Sequence, residues 1–342
     1  MHAMIVSARE PYRYEMVQQD VPAPGPGELL LQMRAAAVNF RDLLIRCNPV
    51  SAYGGDMRGR VPLSDGVGIV IAAGEGVTGY KVGDRVSPIF FPRWISGPPT
   101  VEAIDVALGA EKGGGTCVEF LTVAQEAVVV PPEHLSDTEA ATLVCAGVVA
   151  WVALFEYGRL KPGQTVLLQG TGGVSIMALQ FAAAAGARTI ITSSSDEKLE
   201  RAKALGANET INYKSTPEWD ARVRQLTDGA GVDHIVEVGG ERTLPQSARA
   251  AGYGCSISLV GLLSGVGRDM PPGSINTKML HVHGMYCGSR DDFVNMNRFI
   301  AKHRIHPVIS ETFAMPEADR AVELLQSGRH FGKIAIDLGA PE

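Results

Sequence analysis

The segment VLLQGTGGVS, Val166 to Ser175, carries the residue types needed to hold a diphosphate. An apolar run ends in Gly170, and Thr171, Gly172, Gly173 and Val174 follow, which reads as a strand, a tight turn and the start of a helix. Gly170 permits the turn, Gly172 lets the backbone approach a pyrophosphate, and the helix beginning at Gly173 presents unpaired N–H groups and the positive end of its dipole. Ser175 stands at the third glycine of G-x-G-x-x-G, where a small side chain still allows close helix–strand packing. NAD sites carry an acid about 20 residues further on for the ribose 2′-hydroxyl, and here that place holds Ser193, Ser194 and Ser195. Lys198 in the first turn of the next helix and Tyr213 at the end of the neighbouring strand add an ammonium and a hydroxyl suited to a 2′-phosphate. The expected coenzyme is NADPH, with NAD the alternative if Asp196 reaches the ribose.

The surrounding pattern supplies the elements that position this turn. From about Val148, apolar runs alternate with helical stretches: strands Thr165 to Gln169, Thr189 to Ser193, Thr210 to Tyr213, His234 to Val238 and Ser256 to Val260, and helices from Gly173, Pro217 and Leu244. Ser194 and Glu197 have the spacing of a capping box for the helix that stops at Gly206. This alternation implies βαβ units and a parallel sheet. Upstream, clusters such as PAPGPGE and GEGVTGYKVGDRV punctuate short β-like runs, so the first third reads as a mostly β domain. Further elements are a strand near Leu280 to Tyr286, a helix near Asp291 to Lys302, a strand near Ile309 to Phe313, a helix Pro316 to Gln326 and a strand Lys333 to Leu338.

Composition narrows the function classes. At roughly 150 residues per domain, 342 residues imply two domains, and 45% apolar with 20% charged residues supports a sizeable core. A net charge of −6 without a basic run argues against a nucleic-acid partner. The uncharged stretch Pro162 to Ala187 is broken by glycines and a proline, so no membrane span is expected. Arg9 and Glu10 stand where a secretory signal would have its apolar core, and Cys47, Cys117, Cys145, Cys255 and Cys287 form no C-x-x-C pair. A cytoplasmic protein without disulfides is the expectation.

PAPGPGELLLQMRAAAVNFRDLL, GYKVGDRV, CAGVVAW, KPGQTVLLQGTGGVS, GVDHIVEVGG and HFGKIAI together resemble the medium-chain dehydrogenase/reductase superfamily over the whole chain. The resemblance implies an α/β fold: a Rossmann doubly wound parallel sheet plus a GroES-like, mostly β catalytic domain completed by the C-terminal segment. Its domains would be 1–125 GroES-like, 126–288 Rossmann and 289–342 returning to the first, with substrate meeting nicotinamide between them. Where zinc-dependent members carry metal ligands, this chain has Asn39, Ser64 followed by Asp65, and Cys145. One cysteine cannot hold a zinc that takes three protein donors and a water, so no zinc is expected and Cys145 reads as a packing residue.

The pattern looks instead like the zinc-independent branch of quinone-oxidoreductase and enoyl-reductase-like enzymes, in which V-N-F-x-D is common. That resemblance implies an NADPH-dependent hydride transfer to a quinone, enone or related carbonyl, with Asn39, Arg41 and Tyr53 as candidate donors to the developing negative charge. Asp65 could orient Arg41 or another donor. Each donor also has a plainer reading: Asn39 as a helix cap, Arg41 as a solvated partner of Asp42, Tyr53 as a loop aromatic. Gly239, Val260, Gly261 and Lys333 are the further coenzyme contacts the resemblance implies. Phe90, Phe91 and Trp94 suit the wall of a cleft for a flat apolar substrate, or a locally packed loop. His281 and His283 share one face of a strand that in related enzymes pairs across a two-fold axis, so a homodimer is expected. Alternatives are an alcohol dehydrogenase working in the oxidation direction, and a catalytically silent NADPH-binding regulatory protein.

Overall fold

The eleven residues Glu28–Val38, apolar except for Glu28, Gln32 and Arg34, form the central strand of the mostly β part and are buried along most of their length. The computed structural model describes residues 1–51, 55–265 and 272–339. The central strand pairs antiparallel with Asp65–Ala73, with Phe120–Ala124 and with Lys333–Asp337. Arg85–Pro88 and Val128–Val129 extend the sheet on one side, and Ile309–Ala314 extends it on the other. The C-terminal segment thus completes the first domain as a strand laid against its centre. Contacts divide the chain into two compact units, Met1–Val148 together with the stretch from Gly288 onward, and Val149–Cys287. The chain stays with the first unit well past residue 125 because the helix Asp137–Ala141 packs on Glu28–Val38 and Asp65–Ala73.

Register in this sheet decides which side chains meet. Ile334 lies opposite Val38 and Asp65 lies opposite Ala37. Lys333 therefore begins one neighbouring strand, Asp65 begins the other, and Asn39 follows the end of the strand between them. Three residues far apart in sequence reach one end of the sheet.

In the second unit, Val166, Leu167 and Leu168 are fully buried and lie between parallel neighbours Arg188–Ser193 and Val232–Glu237. The six strands are all parallel, in the order Glu209–Asn212, Arg188–Ser193, Thr165–Gln169, Val232–Glu237, Ala251–Leu259, His281–Gly284. This is the doubly wound order in which ligands bind beyond the carboxyl ends of the strands. Continuous apolar runs suit strands covered on both faces. The fold class therefore matches the expectation from sequence. Boundaries shift by a few residues: the strand expected to end at Tyr213 ends at Asn212, the helix expected from Pro217 starts at Trp219, and the strand expected from Ser256 starts at Ala251.

Candidate functional site

Lys333 is only 4% exposed, and its ammonium donates to Val38 O at 2.8 Å, Asn39 Oδ1 at 2.7 Å and Asp65 Oδ2 at 3.1 Å. An ammonium has three donors, and all three are engaged. Asp65 is fully buried; burial pushes its carboxyl up while Lys333 pulls it down. Asn39 Nδ2 donates to Ser64 Oγ at 3.4 Å, and Ser64 Oγ donates to Asp65 Oδ1 at 3.3 Å. Leu63, just before this pair, has φ 70°, a left-handed backbone that a bulky residue adopts only under constraint. Thr116 holds the turn by donating its N–H to Leu63 O and its hydroxyl to Asp65 O. Asp65 thus orients Lys333 and not Arg41, and Lys333, expected as a coenzyme contact, has its N–H groups directed into this network.

Asn39 also sits before the helix Phe40–Cys47, where Asp42 Oδ2 accepts its backbone N–H at 2.7 Å. Burial pushes the Asp42 carboxyl up from 3.8 to about 6. A folded value above the unfolded one means that the folded protein binds this proton more tightly, so stability falls as pH rises between about 4 and about 6. We expect the stability difference between the parent and Asp42→Asn to grow by about 2–3 kcal/mol in the parent's favour from pH 7 to pH 4. Urea unfolding at both values checks it; an unchanged difference assigns the titration elsewhere.

Arg41 is not the solvated partner of Asp42. Its Nη2 donates to Leu108 O, and its guanidinium carbon lies 4.7 Å from the centre of the Phe90 ring. Phe90, Phe91 and Trp94 are 3%, 1% and 8% exposed. They pack on one another as core beneath Arg41, so of the two readings, cleft wall and locally packed loop, the structure contains the second. Cys145, expected to be packed away, is half-buried. Tyr53 lies outside the described residues.

In the second unit, Gly170 has φ 71°, the left-handed conformation that glycine adopts without strain. Gly172 is the N-cap of the helix Gly173–Ala184, where no side chain caps the first turn and no acid occupies it. Thr171 is buried and Val174 half-buried. This arrangement leaves N–H donors for an anion. Ser175 does more than stay small: its hydroxyl donates to Gln169 O at 2.6 Å and ties helix to strand.

The backbones of Ser193, Ser195, Lys198 and Tyr213 are tied together, with one change from the expected cap. Ser195, not Ser194, caps the helix Asp196–Ala204 by accepting the Lys198 N–H at 3.4 Å. Ser193 Oγ accepts the Ser195 N–H, and the Tyr213 N–H donates to Ser193 O at 3.0 Å. Asp196 is engaged by Asn212 Nδ2 at 2.7 Å. Burial and Arg201 push the Lys198 ammonium down.

The sequence reading missed Glu237. Its fully buried carboxylate accepts the N–H groups of Gly239 at 2.8 Å and Gly240 at 3.0 Å, the Thr243 hydroxyl at 2.6 Å, Gln169 Nε2 at 2.7 Å and the Ser247 hydroxyl at 2.5 Å. Its own carbonyl accepts the Val260 and Gly261 N–H groups at 2.8 and 3.2 Å. Glu237 therefore holds Gly239, Val260 and Gly261 at the strand ends. A Cβ on Gly261 would meet Val238 O at 2.3 Å. The available signal was an acid inside an otherwise apolar strand, immediately before Val238-Gly239-Gly240. His281 and His283 stack with centroids 6.3 Å apart, and His283 stacks on Tyr157 at 4.9 Å.

A β unit closed by the C-terminal strand and a parallel unit with a dinucleotide turn define a medium-chain dehydrogenase/reductase. Comparison with known proteins agrees: residues 25–135 match the alcohol dehydrogenase GroES-like domain family, and residues 173–302 match the zinc-binding dehydrogenase family. A zinc-type alcohol dehydrogenase-like protein of Schizosaccharomyces pombe is 41% identical over 344 residues, covering 96% of this chain and 95% of that one. A crotonyl-CoA reductase of Streptomyces collinus is 27% identical over 94% of this chain and 81% of its own. A solved NAD-dependent alcohol dehydrogenase superposes with TM-score 0.89 at 31% identity, covering 99% of this chain and 100% of that one. The chain belongs to the medium-chain dehydrogenase/reductase superfamily and is an NAD(P)-dependent oxidoreductase. No helix among the described residues is long and apolar enough to cross a membrane.

Proposed function

We propose that this protein is an NADPH-dependent reductase of quinones, enones or related carbonyl compounds that works without zinc. The observation that carries the reading is the buried Lys333 ammonium bonded to Asn39 Oδ1 and Asp65 Oδ2. Residues here do not fit zinc: those two acceptors already hold a cation, Ser64 offers a neutral hydroxyl, and Cys145 alone falls short of three protein donors. The relative named crotonyl-CoA reductase supports a conjugated carbonyl substrate. Relatives named alcohol dehydrogenases support the second reading, oxidation of an alcohol.

Bound NADPH supplies the hydride. Asn39 Nδ2 carries two hydrogens and engages one of them, weakly, with Ser64; the other is the donor to the substrate oxygen as negative charge develops. Lys333, 2.7 Å behind the amide oxygen, polarises that donor. Asp42 fixes the backbone from which it projects.

Ser193, Ser195 and Lys198, with Asp196 held by Asn212, support NADPH over NADH. We expect Lys198→Ala to weaken NADPH binding about tenfold, as loss of one charge-assisted hydrogen bond does, and to leave NADH binding unchanged. Fluorescence titration with both coenzymes checks it. The test of the whole reading is NADPH oxidation by EDTA-dialysed protein with a quinone, an enone and an aldehyde. Turnover with at least one of the three after dialysis is the expected result; activity restored only by added zinc overturns it. We extend the proposal to a homodimer paired along the edge strand His281–Gly284, and a monomeric mass by light scattering would overturn that part.

A further inference from the structure

A groove of about 730 Å³ lies in the first unit beside the helix Arg290–His303. None of its lining residues belongs to the network around Lys333. Its apolar surface comes from Val130, Pro131, Val294 and Ala301, while Arg290, Arg298 and Arg304 add three cations against the single carboxylate of Glu133. In a chain of net charge −6, that local excess of positive charge calls for an explanation. Sites for small molecules are of this size and combine apolar walls with a few placed polar groups.

One observation goes beyond composition. Arg304 ends the helix in the left-handed conformation, φ 50° and ψ 44°. The helix Ala318–Ser327 ends in the same conformation with Gly328, φ 66°, the residue that adopts it without strain. Arg304 bears a backbone cost that glycine would avoid, and its side chain borders the groove.

We infer that this groove binds an amphipathic carboxylate, an apolar chain or ring ending in a carboxylate. The apolar body lies along Val130, Pro131, Val294 and Ala301, and the carboxylate meets Arg298 and Arg304 at the rim. Burial of the apolar part and charge pairing act together, so neither an alcohol of equal length nor a small inorganic anion substitutes.

Isothermal titration of the full-length protein with octanoate, octanol and inorganic phosphate tests the assignment. Octanoate should bind at one site per chain, and octanol and phosphate at least tenfold more weakly. Arg304→Gly removes the cation and relieves the backbone, so it should melt no lower than the parent while losing at least tenfold in octanoate affinity. Val294→Trp, which fills the groove, should lose as much, and both variants should keep the parent's NADPH affinity. Octanol or phosphate binding as tightly as octanoate, octanoate affinity unchanged in both variants, or no heat of binding would each overturn it.

Discussion

Lys333→Met is expected to lower stability by about 3–5 kcal/mol at pH 7, because it leaves the Asp65 carboxylate buried without its counter-charge. Urea unfolding measures the loss. Burial already pushes the Asp65 carboxyl up, and without Lys333 only the weaker pulls of Asn39 and Arg41 oppose that push. A raised folded value makes stability fall with rising pH, so the deficit should shrink at pH 5, where Asp65 takes up a proton more readily. The double variant Lys333→Met with Asp65→Asn removes the stranded charge and should recover most of the stability. It should not recover turnover, since the Asn39 amide still lacks the cation behind it. We expect kcat in both variants to fall by about 100-fold, the usual scale for one electrostatic stabiliser of a developing oxyanion. A double variant with full stability and full activity would reduce Lys333 to a structural residue.

Gly170→Val has the second largest expected effect, and it falls on coenzyme binding. Position 170 has φ 71°, where a β-branched residue is strained by about 1–2 kcal/mol. A Cβ there meets nothing closer than Val238 Cγ2 at 4.0 Å, so the protein itself has room for that atom. The loss should therefore appear mainly where a diphosphate must approach the backbone, as a rise of at least about 100-fold in the NADPH dissociation constant. Gly170→Asn separates the two causes: asparagine tolerates the left-handed conformation, so stability should return while coenzyme binding stays weak. Normal NADPH affinity in Gly170→Val would remove this turn from the site.

How much of the site could be read beforehand follows the range of the interactions. The dinucleotide turn depends on contiguous residues, Gly170 to Val174, whose conformational preferences are local. The serine cluster was legible for the same reason, yet the cap is Ser195 rather than Ser194, because a shift of one residue in the helix start leaves the periodicity almost unchanged. For Phe90, Phe91 and Trp94 the sequence leaves a cleft wall and a packed loop open, because aromatic residues beside prolines look alike whether they face a ligand or a core. Glu237 was passed over because an acid inside a strand reveals nothing of its partners until Gln169, Thr243 and Ser247 are brought around it.

By itself the sequence determined the class: alternating apolar runs and helices made a parallel sheet, turn-rich short strands made a β domain, and glycine at the right places made an anion cradle. The tertiary structure alone decided what Lys333 does. Its partner Asn39 is 294 residues away, and the two meet because Ile334 pairs with Val38 in a sheet that the C-terminal strand must return to complete. Backbone preference acts over a few residues and can be read along the chain. The register between distant strands, and with it the partner of a buried charge, is set by the packing of the whole unit.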